Sequence, residues 1–235
     1  MTTARPNWFY NEFKYSGVDY TDPEQVAVYD KRHQRFRDYK KFAETVMTRL
    51  GLGPDATVID LGVGTGAFAL NAAPFYKTVY AVDVSDVMLA YTRQKAEQAG
   101  LENIVFCKGG FLTYGHSSTP VDAVVSSAVL HHLPDMWKWA GLLNVSKMLK
   151  PGGKFYLFDV VFSMTEDYAA SFGGWVDSFV EKVGPEFAGE VETHIRDEFS
   201  TFDWVMEGLL RRAGFHIDSA EYNDGFGATY LCTKI

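Results

Sequence analysis

Residues 58–66 read Val-Ile-Asp-Leu-Gly-Val-Gly-Thr-Gly, an apolar stretch with one carboxylate that ends in three alternating glycines. The β-branched residues before the glycines predict a short strand, from Thr57 to Leu61, that is covered on both faces. The glycines then allow a tight turn in which the backbone comes close to a ligand. Residues 67–73 are good helix formers, so free N–H groups at a helix N-terminus follow the turn. The stretch therefore predicts a cofactor-binding turn between a strand and a helix.

Two kinds of cofactor fit this turn. Gly62, Gly64 and Ala67 satisfy the loose dinucleotide fingerprint, in which a pyrophosphate rests on the helix N-terminus. Asp60 stands two residues before the first glycine and faces the same crevice, where a carboxylate is unfavourable beside an anionic pyrophosphate. A cationic cofactor suits this carboxylate better. A third interpretation is a glycine turn that merely joins a strand to a helix.

The composition is typical of a soluble chain that forms one α/β domain. Hydrophobic residues make up 47% of the 235 residues, and 30 acidic against 22 basic residues give a net charge of −8. This acidic balance disfavours a nucleic-acid partner. Neither an export signal nor an apolar run of membrane-spanning length is found, so we expect a cytoplasmic protein without a membrane partner.

The two cysteines, Cys107 and Cys232, lie in strand-like segments and lack the spacing of metal ligands. Buried free thiols in a reducing compartment are the expected state. The sequence therefore predicts no metal site.

Strands and helices alternate after the glycine turn, which predicts a parallel, doubly wound α/β sheet. Further strands are predicted at residues 78–83, 104–107, 121–127 and 154–161. Helices are predicted at residues 86–98, 135–149 and 201–213, with Asp135 as the N-cap of the second. Residues 215–222 and 226–233 are predicted to form a closing hairpin.

Two segments lie outside this alternation. Residues 1–50 are predicted to form an N-terminal helical lid, and residues 163–199 form an aromatic-rich helical insertion after the fifth strand. Ligands of open α/β sheets bind beyond the carboxyl ends of the strands, so both segments can cover the site. We therefore divide the chain into the lid, residues 1–50, and an α/β core, residues 51–235, that contains the insertion.

From Thr57 to Lys234 the chain resembles the class I S-adenosylmethionine (SAM)-dependent methyltransferases of the small-molecule type. Four landmarks follow one another in the family's order: the glycine motif at 58–66, Val-Tyr-Ala-Val-Asp at 79–83, Leu-His-His-Leu-Pro-Asp at 130–135 and Leu-Lys-Pro-Gly-Gly-Lys at 149–154. The resemblance implies a Rossmann-like, seven-stranded, mostly parallel sheet whose last strand is antiparallel. It also implies that SAM is the cofactor and that a methyl group is transferred to a small-molecule acceptor.

The resemblance also implies roles for single residues. Asp60 is expected near the SAM ammonium and Asp83 at the two ribose hydroxyls, while the glycine turn packs against the methionine end and the ribose. The full set of expected cofactor residues in the core comprises Asp60, Gly62, Gly64, Thr65, Gly66, Asp83, Val84, Met88, Gly110, Phe111, Ser127 and Ala128.

One position departs from the family's pattern. After the third strand the family often carries an acidic residue that binds the adenine amino group, whereas this chain reads Lys-Gly-Gly-Phe at residues 108–111. Phe111 can still cover the adenine ring. The polar contact to adenine must then come from the backbone or from another part of the chain.

Methyl transfer is an in-line displacement, and a general base is needed only where the acceptor must lose a proton. His131 and His132 follow the fourth strand, next to the expected methyl group, and are the candidate catalytic residues. An alternative role for His132 is to order the loop. His132 is also a candidate for binding the acceptor.

Four more residues are candidates for ligand binding. Tyr29 and Arg37 in the N-terminal segment can reach the SAM carboxylate, and Tyr29 can also contact the acceptor. Phe162 and Trp175 either line an aromatic acceptor pocket or pack the insertion onto the sheet.

Three other functions remain open at this point. They are a different transferase of the same fold, such as an aminopropyl- or carboxymethyltransferase, an NAD-dependent oxidoreductase, and a SAM-binding protein without turnover. The acceptor atom and the oligomeric state cannot be read from the sequence.

Overall fold

A sheet of seven strands forms the centre of the fold. The computed structural model describes residues 6–14, 38–163, 167–185, 188–223 and 225–235. Strands β1 to β7 span Thr57–Leu61, Thr78–Asp83, Ile104–Lys108, Val121–Ser127, Leu149–Asp159, Phe215–Asn223 and Gly227–Lys234. Their order in the sheet is β3-β2-β1-β4-β5-β7-β6. The first five strands pair in parallel, and β7 is antiparallel to β5 and β6, as predicted.

Helices cover both faces of this sheet. Helices α1 to α7 of the described residues span Tyr39–Leu50, Ala69–Ala72, Asp86–Gln98, Asp135–Met148, Tyr168–Val183, Ala188–Arg196 and Asp203–Arg212. Successive strand residues point to opposite faces. Val58 therefore packs in one buried cluster with α1 and α2, and Ile59 in another with α4 and α7. Because both faces are covered, β1 contains apolar residues on both sides.

Some element boundaries differ from the predictions for local reasons. The helix after the glycine turn is only four residues long, since Pro74 lacks an N–H and the chain continues as a 3-10 turn over Ala73–Phe75. Strand β5 begins at Leu149 rather than at Lys154, because Leu149 already pairs with Val121.

The prediction that Asp135 is the N-cap of α4 is wrong. Pro134 occupies the cap, and Asp135 is the first helical residue. Its carboxylate instead accepts hydrogen bonds from Lys138 Nζ at 2.8 Å and Thr201 Oγ1 at 3.1 Å. Asp135 thereby links the start of α4 to the far end of the insertion.

The insertion after β5 contains α5 and α6. Two short strands, Val161–Phe162 and Thr201–Phe202, pair in parallel where the insertion begins and ends. None of the described helices is long and apolar enough to cross a membrane. The division into a lid and a core, and the lid role of the insertion, stay predictions.

Candidate active site

A cavity of about 500 Å³ lies at the carboxyl ends of β1 and β4. The strand order reverses between these two strands, and ligands of open α/β sheets bind at such a point. The volume is in the range of small-molecule sites. Residues of the glycine turn, of the ends of β2 and β4, of helix α1 and of the N-terminal segment 6–14 line it.

The glycine turn comes close to other parts of the chain. Gly62 has a φ of +83°, and a Cβ there would lie 2.3 Å from Cγ2 of Val129. Gly64 has a φ of +50° and no neighbouring atom within 4 Å of its Cβ position, so its open side remains available to a ligand. Thr92 in α3 donates a hydrogen bond to the Gly64 carbonyl at 2.7 Å. The turn is therefore held from the helix side and open on the cavity side.

Two buried carboxylates line the cavity. Asp60 accepts a hydrogen bond from the Ala69 N–H at 3.0 Å, and Asp83 accepts hydrogen bonds from the N–H groups of Gly64 and Ser85 at 2.9 Å each. Burial raises the pKa of Asp60 to about 7, and the charge of Asp83 adds to this shift, whereas the Ala69 N–H opposes it. Burial also raises the pKa of Asp83, against the effect of its backbone hydrogen bonds. Both carboxylates would be stabilised in the ionised form by a cationic or hydroxyl-bearing ligand.

The residues at and after the end of β4 form part of the cavity wall. Ala128 has a φ of +58°, a left-handed conformation that costs about 1–3 kcal/mol for a residue other than glycine. Its N–H donates to the Phe158 carbonyl at 2.8 Å, which holds this turn against β5. Ser127, Ala128 and His132 all line the cavity. Burial, followed by the charge of His131, lowers the pKa of His132 to about 3.

His131 lies behind the cavity wall. Its Nδ1 is 2.5 Å from Asp159 Oδ1, and its backbone N–H donates to Asp159 Oδ2 at 3.1 Å. Burial lowers the pKa of His131, but the charge and hydrogen bond of Asp159 and the charge of Glu198 raise it above its ordinary value. Of the two predicted catalytic histidines, only His132 is among the described residues that line the cavity. Because its imidazole is engaged by Asp159, His131 does not reach the cavity from this position.

Glu12 reaches the cavity from the N-terminal segment. Its Oε2 accepts a hydrogen bond from the Leu112 N–H at 3.0 Å. A Cβ on Gly110 would lie 2.6 Å from this oxygen, so the absence of a side chain at position 110 makes room for the Glu12 carboxylate. Glu12 is not among the site residues predicted from the sequence. The signal in the sequence was the Gly-Gly pair at residues 109–110. Without an acidic side chain at these positions, the polar contact to adenine has to come from another part of the chain.

Aromatic contacts hold the segment that carries Glu12. The rings of Phe9 and Tyr10 lie 5.0 Å and 6.1 Å from that of Trp137 in α4, measured between ring centroids. Tyr10 also donates a hydrogen bond to the His132 carbonyl at 3.3 Å.

One wall of the cavity is aromatic. Tyr39 and Phe42 of α1 and Tyr156 and Phe158 of β5 line it, and the rings of Phe42 and Tyr156 are 6.4 Å apart. Arg49 Nη2 lies 2.6 Å from Glu221 Oε2 at its edge.

Phe162 and Trp175 do not contribute to this aromatic wall. Both are buried in a separate cluster, with ring centroids 5.5 Å apart, and Trp175 stacks on Phe226 at 4.6 Å. They pack the insertion onto the turn between β6 and β7. The sequence allowed two interpretations of these residues, pocket lining and packing. Neither residue lines the cavity of the described residues, and both bury their rings against each other, so the structure agrees with packing.

Most of the cofactor residues expected from the sequence line the cavity: Asp60, Gly62, Gly64, Thr65, Asp83, Val84, Met88, Gly110, Phe111, Ser127 and Ala128. Gly66 does not line the cavity. It allows the turn to pack closely on the neighbouring helices, because a Cβ there would lie 2.7 Å from side-chain atoms of Leu70 and Thr92. Tyr29 and Arg37 lie outside the described residues.

Known methyltransferases resemble this chain in sequence. Residues 58–153 match the methyltransferase domain family. An uncharacterised methyltransferase of Bacillus licheniformis is 30% identical over 189 residues, which make up 80% of this chain and 81% of the relative. The chain belongs to the class I SAM-dependent methyltransferases. The predicted family and its cofactor, SAM, are thereby confirmed.

Solved structures share the fold of this methyltransferase. A SAM-dependent methyltransferase from Aquifex aeolicus superposes with a TM-score of 0.65 at 18% identity, over 91% of this chain and 99% of that one. Magnesium protoporphyrin IX methyltransferase from Synechocystis, solved with bound S-adenosylhomocysteine (SAH), has a TM-score of 0.63 at 16% identity, over 90% and 96% of the two chains.

The cavity of this methyltransferase fits SAM on three grounds. Its volume suits a ligand of that size, and the glycine turn leaves space on the cavity side. Burial raises the pKa of both Asp60 and Asp83, and an ammonium and ribose hydroxyls can stabilise the ionised carboxylates.

Proposed function

We propose that this methyltransferase transfers the methyl group of SAM to a small-molecule acceptor by in-line displacement inside the cavity. The observation that carries the proposal is that one cavity is lined both by two buried carboxylates at the glycine turn and by aromatic side chains of α1 and β5. A bound SAM supplies the electrophilic methyl group. The chain's own residues hold the acceptor close and in line and exclude water.

We assign the methionine and ribose parts of SAM to the two carboxylates. Asp60 would hold the ammonium, since a buried carboxylate with a raised pKa gains most from a neighbouring cation. Asp83 would accept hydrogen bonds from the ribose hydroxyls, because the N–H groups of Gly64 and Ser85 already fix the orientation of its oxygens.

We assign the recognition of the adenine amino group to Glu12. Its carboxylate lies beside Gly110, in the place where the family often carries an acidic side chain. A carboxylate only accepts hydrogen bonds, so it prefers an amino group to the carbonyl of a hypoxanthine ring. Val84, Met88 and Phe111 would cover the faces of the adenine ring.

We call the aromatic part of the cavity the acceptor end, since the acceptor would occupy it, and the part at the two carboxylates the cofactor end. The rings of Phe42 and Tyr156 favour an acceptor with a flat or apolar body, and the ion pair of Arg49 with Glu221 favours a polar substituent at its edge. His132 is the candidate catalytic residue that contacts the acceptor, since it lines the cavity together with Ser127 and Ala128.

The proposal is tested by following isotope-labelled methyl groups. The enzyme is incubated with methyl-labelled SAM and a cell extract that has been divided into small-molecule, protein and RNA fractions. We expect enzyme-dependent label in the small-molecule fraction, and mass spectrometry then identifies the product. Label confined to the protein or RNA fraction would contradict a small-molecule acceptor.

A matched pair of variants ties the labelling to the cavity. Asp83→Asn removes the charge-assisted hydrogen bonds to the ribose, each worth about 1.5–3 kcal/mol, and should weaken SAH binding at least tenfold in calorimetry. Asp86→Asn changes an exposed carboxylate nearby that pairs with Lys108, and it should bind SAH like the wild type. Equal affinities of the two variants would count against the proposed cofactor site.

A further inference from the structure

Three side chains with metal-binding atoms meet behind the cavity wall. His131 follows β4, His194 lies in α6, and Glu198 comes just after α6. One ligand atom of each lies within 4.8 Å of the other two. His131 Nε2 is 3.3 Å from Glu198 Oε2, and His194 Nδ1 contacts the same oxygen. His194 and Glu198 are four residues apart, whereas His131 comes from a distant segment of the chain.

The separation of two of the ligand atoms matches a small divalent ion. In a tetrahedral zinc site with bonds of about 2.0–2.1 Å, ligand atoms are separated by about 3.3 Å. The separation of His131 Nε2 and Glu198 Oε2 equals this value, whereas His194 Nδ1 and Glu198 Oε2 lie closer together and would have to move apart around an ion. Two imidazoles and one carboxylate suit zinc and related transition metals, whereas magnesium and calcium prefer oxygen ligands throughout.

Two of the three ligand atoms touch each other without the geometry of a normal hydrogen bond. Glu198 Oε2 and His194 Nδ1 are buried, and neither forms a hydrogen bond of acceptable geometry with the residues that the structure describes. Buried polar atoms without hydrogen bonds are rare and costly. The side chain of Glu198 is only 2% exposed, so water does not readily satisfy its carboxylate. An ion at the meeting point would coordinate both atoms.

The third ligand is prepared by its neighbours. Asp159 binds Nδ1 of His131, which leaves Nε2 facing Glu198 and His194. A histidine that binds a metal through one nitrogen commonly donates its other N–H to a carboxylate, which sets the tautomer and the ring orientation. Asp159 is itself held by the backbone N–H groups of His131 and Val160. The Phe199 N–H donates to the His131 carbonyl at 2.9 Å, which fixes the segment of Glu198 next to His131.

We propose that His131, His194 and Glu198 bind one divalent transition-metal ion of the zinc type, with Asp159 orienting the His131 ligand. Three protein ligands leave a coordination position for water or an exogenous ligand. The ion joins α6 to the turn that also carries His132, whose ring lies 4.3 Å from that of His131 between centroids. It therefore fastens the insertion to the methyl-transfer end of the cavity.

The test measures zinc binding by the full-length chain without an affinity tag. The protein is treated with a chelator, dialysed and titrated with Zn²⁺ against a competing chromophoric chelator, and bound metal is counted by elemental analysis. We expect one tightly bound equivalent and a higher midpoint of thermal unfolding when zinc is present, because a ligand that binds the native state stabilises it.

Three variants and a control identify the ligands. His194→Ala and Glu198→Gln should lose the equivalent and the thermal shift, and Asp159→Asn should bind zinc about 10–100-fold more weakly. His216→Ala removes an exposed histidine of β6 outside the cluster and should behave like the wild type. His194 is partly exposed, so its truncation should leave the far-ultraviolet circular dichroism unchanged.

Other results would overturn the proposal. If the wild type takes up no stoichiometric zinc, the cluster is an ion-pair network of two histidines and two carboxylates. If zinc binds equally well to wild type, His194→Ala and Glu198→Gln, the ion sits elsewhere on the surface. Neither result bears on SAM binding or methyl transfer, which are tested by separate experiments.

Discussion

The two ends of the cavity differ in how they are built. At the cofactor end, backbone turns and two buried carboxylates project from neighbouring central strands and are fixed by main-chain hydrogen bonds. At the acceptor end, aromatic side chains from α1 and β5 meet a partly exposed ion pair, Arg49 with Glu221. The first arrangement suits one invariant ligand, because its geometry is set by the sheet. The second is built from side chains and can change by single substitutions.

The largest effect is expected at the glycine turn. Gly62→Ala introduces a Cβ at a positive φ and 2.3 Å from Val129, and we expect it to lower the free energy of unfolding by about 2–4 kcal/mol. Chemical denaturation measures this. Gly51→Ala is the matched control, since Gly51 has a φ of +62° but open space around its Cβ position. Equal losses in the two variants would show that the contact with Val129 has no role.

A compensating change sharpens this prediction. Val129→Ala removes the atoms that a Cβ at position 62 would meet. In the Gly62→Ala background it should therefore restore part of the stability, and the double variant should show non-additivity. Simple addition of the two losses would indicate that only backbone strain is at work.

The local part of the cofactor end was predictable from the sequence for a physical reason. The strand, the turn and Asp60 are consecutive residues, and Asp83 ends the next strand of a parallel series, so chain connectivity alone brings them to one edge of the sheet. No long-range packing has to be known. The pattern of buried strands was readable in the same way, because strands covered on both faces are apolar throughout.

The rest of the site depends on packing between distant segments. Glu12 reaches Gly110 because Phe9 and Tyr10 pack on Trp137, a contact that no local pattern encodes. The same limit applies to Phe162 and Trp175. Apolar aromatic residues in an insertion are equally compatible with lining a pocket and with packing against each other, and only the tertiary structure distinguishes these outcomes.

The next effect concerns adenine recognition. Glu12→Ala removes the carboxylate beside Gly110 and should weaken SAH binding about tenfold or more, since a hydrogen bond to a charged group is worth about 1.5–3 kcal/mol. The wild type should also prefer SAH to its hypoxanthine analogue, and the variant should lose this preference. Glu44→Ala on the exposed side of α1 is the control. Retained discrimination in Glu12→Ala would assign adenine recognition to the backbone.

A pH dependence is expected from Asp60. Its pKa is raised to about 7, so the ionised fraction increases about tenfold from one unit below to one unit above this value. The ionised carboxylate attracts the ammonium, and SAH affinity measured by calorimetry should rise by about the same factor. Asp60→Asn should bind weakly and without this pH dependence. A rise that persists in the variant would point to another group.

The same shift affects the protein without its cofactor, with the opposite sign. A carboxyl group whose pKa is raised on folding contributes stability that is fully present below its unfolded-state pKa and is lost as the pH rises through about 7. The midpoint of thermal unfolding of the ligand-free wild type should therefore fall over this range more than that of Asp60→Asn. Bound SAH should reverse the trend.

The smallest effect is expected at the acceptor end. Arg49 and Glu221 are 28% and 53% exposed, and an ion pair of this kind is worth about 0.2–1 kcal/mol. Glu221→Gln should therefore change the free energy of unfolding by less than about 1 kcal/mol and leave SAH affinity unchanged. A pair that is so weakly coupled can open at little cost, so Arg49 remains available to an anionic substituent of the acceptor. A large loss of stability in Glu221→Gln would instead make the pair a structural tie between α1 and the hairpin, and the contrast between the two ends would then disappear.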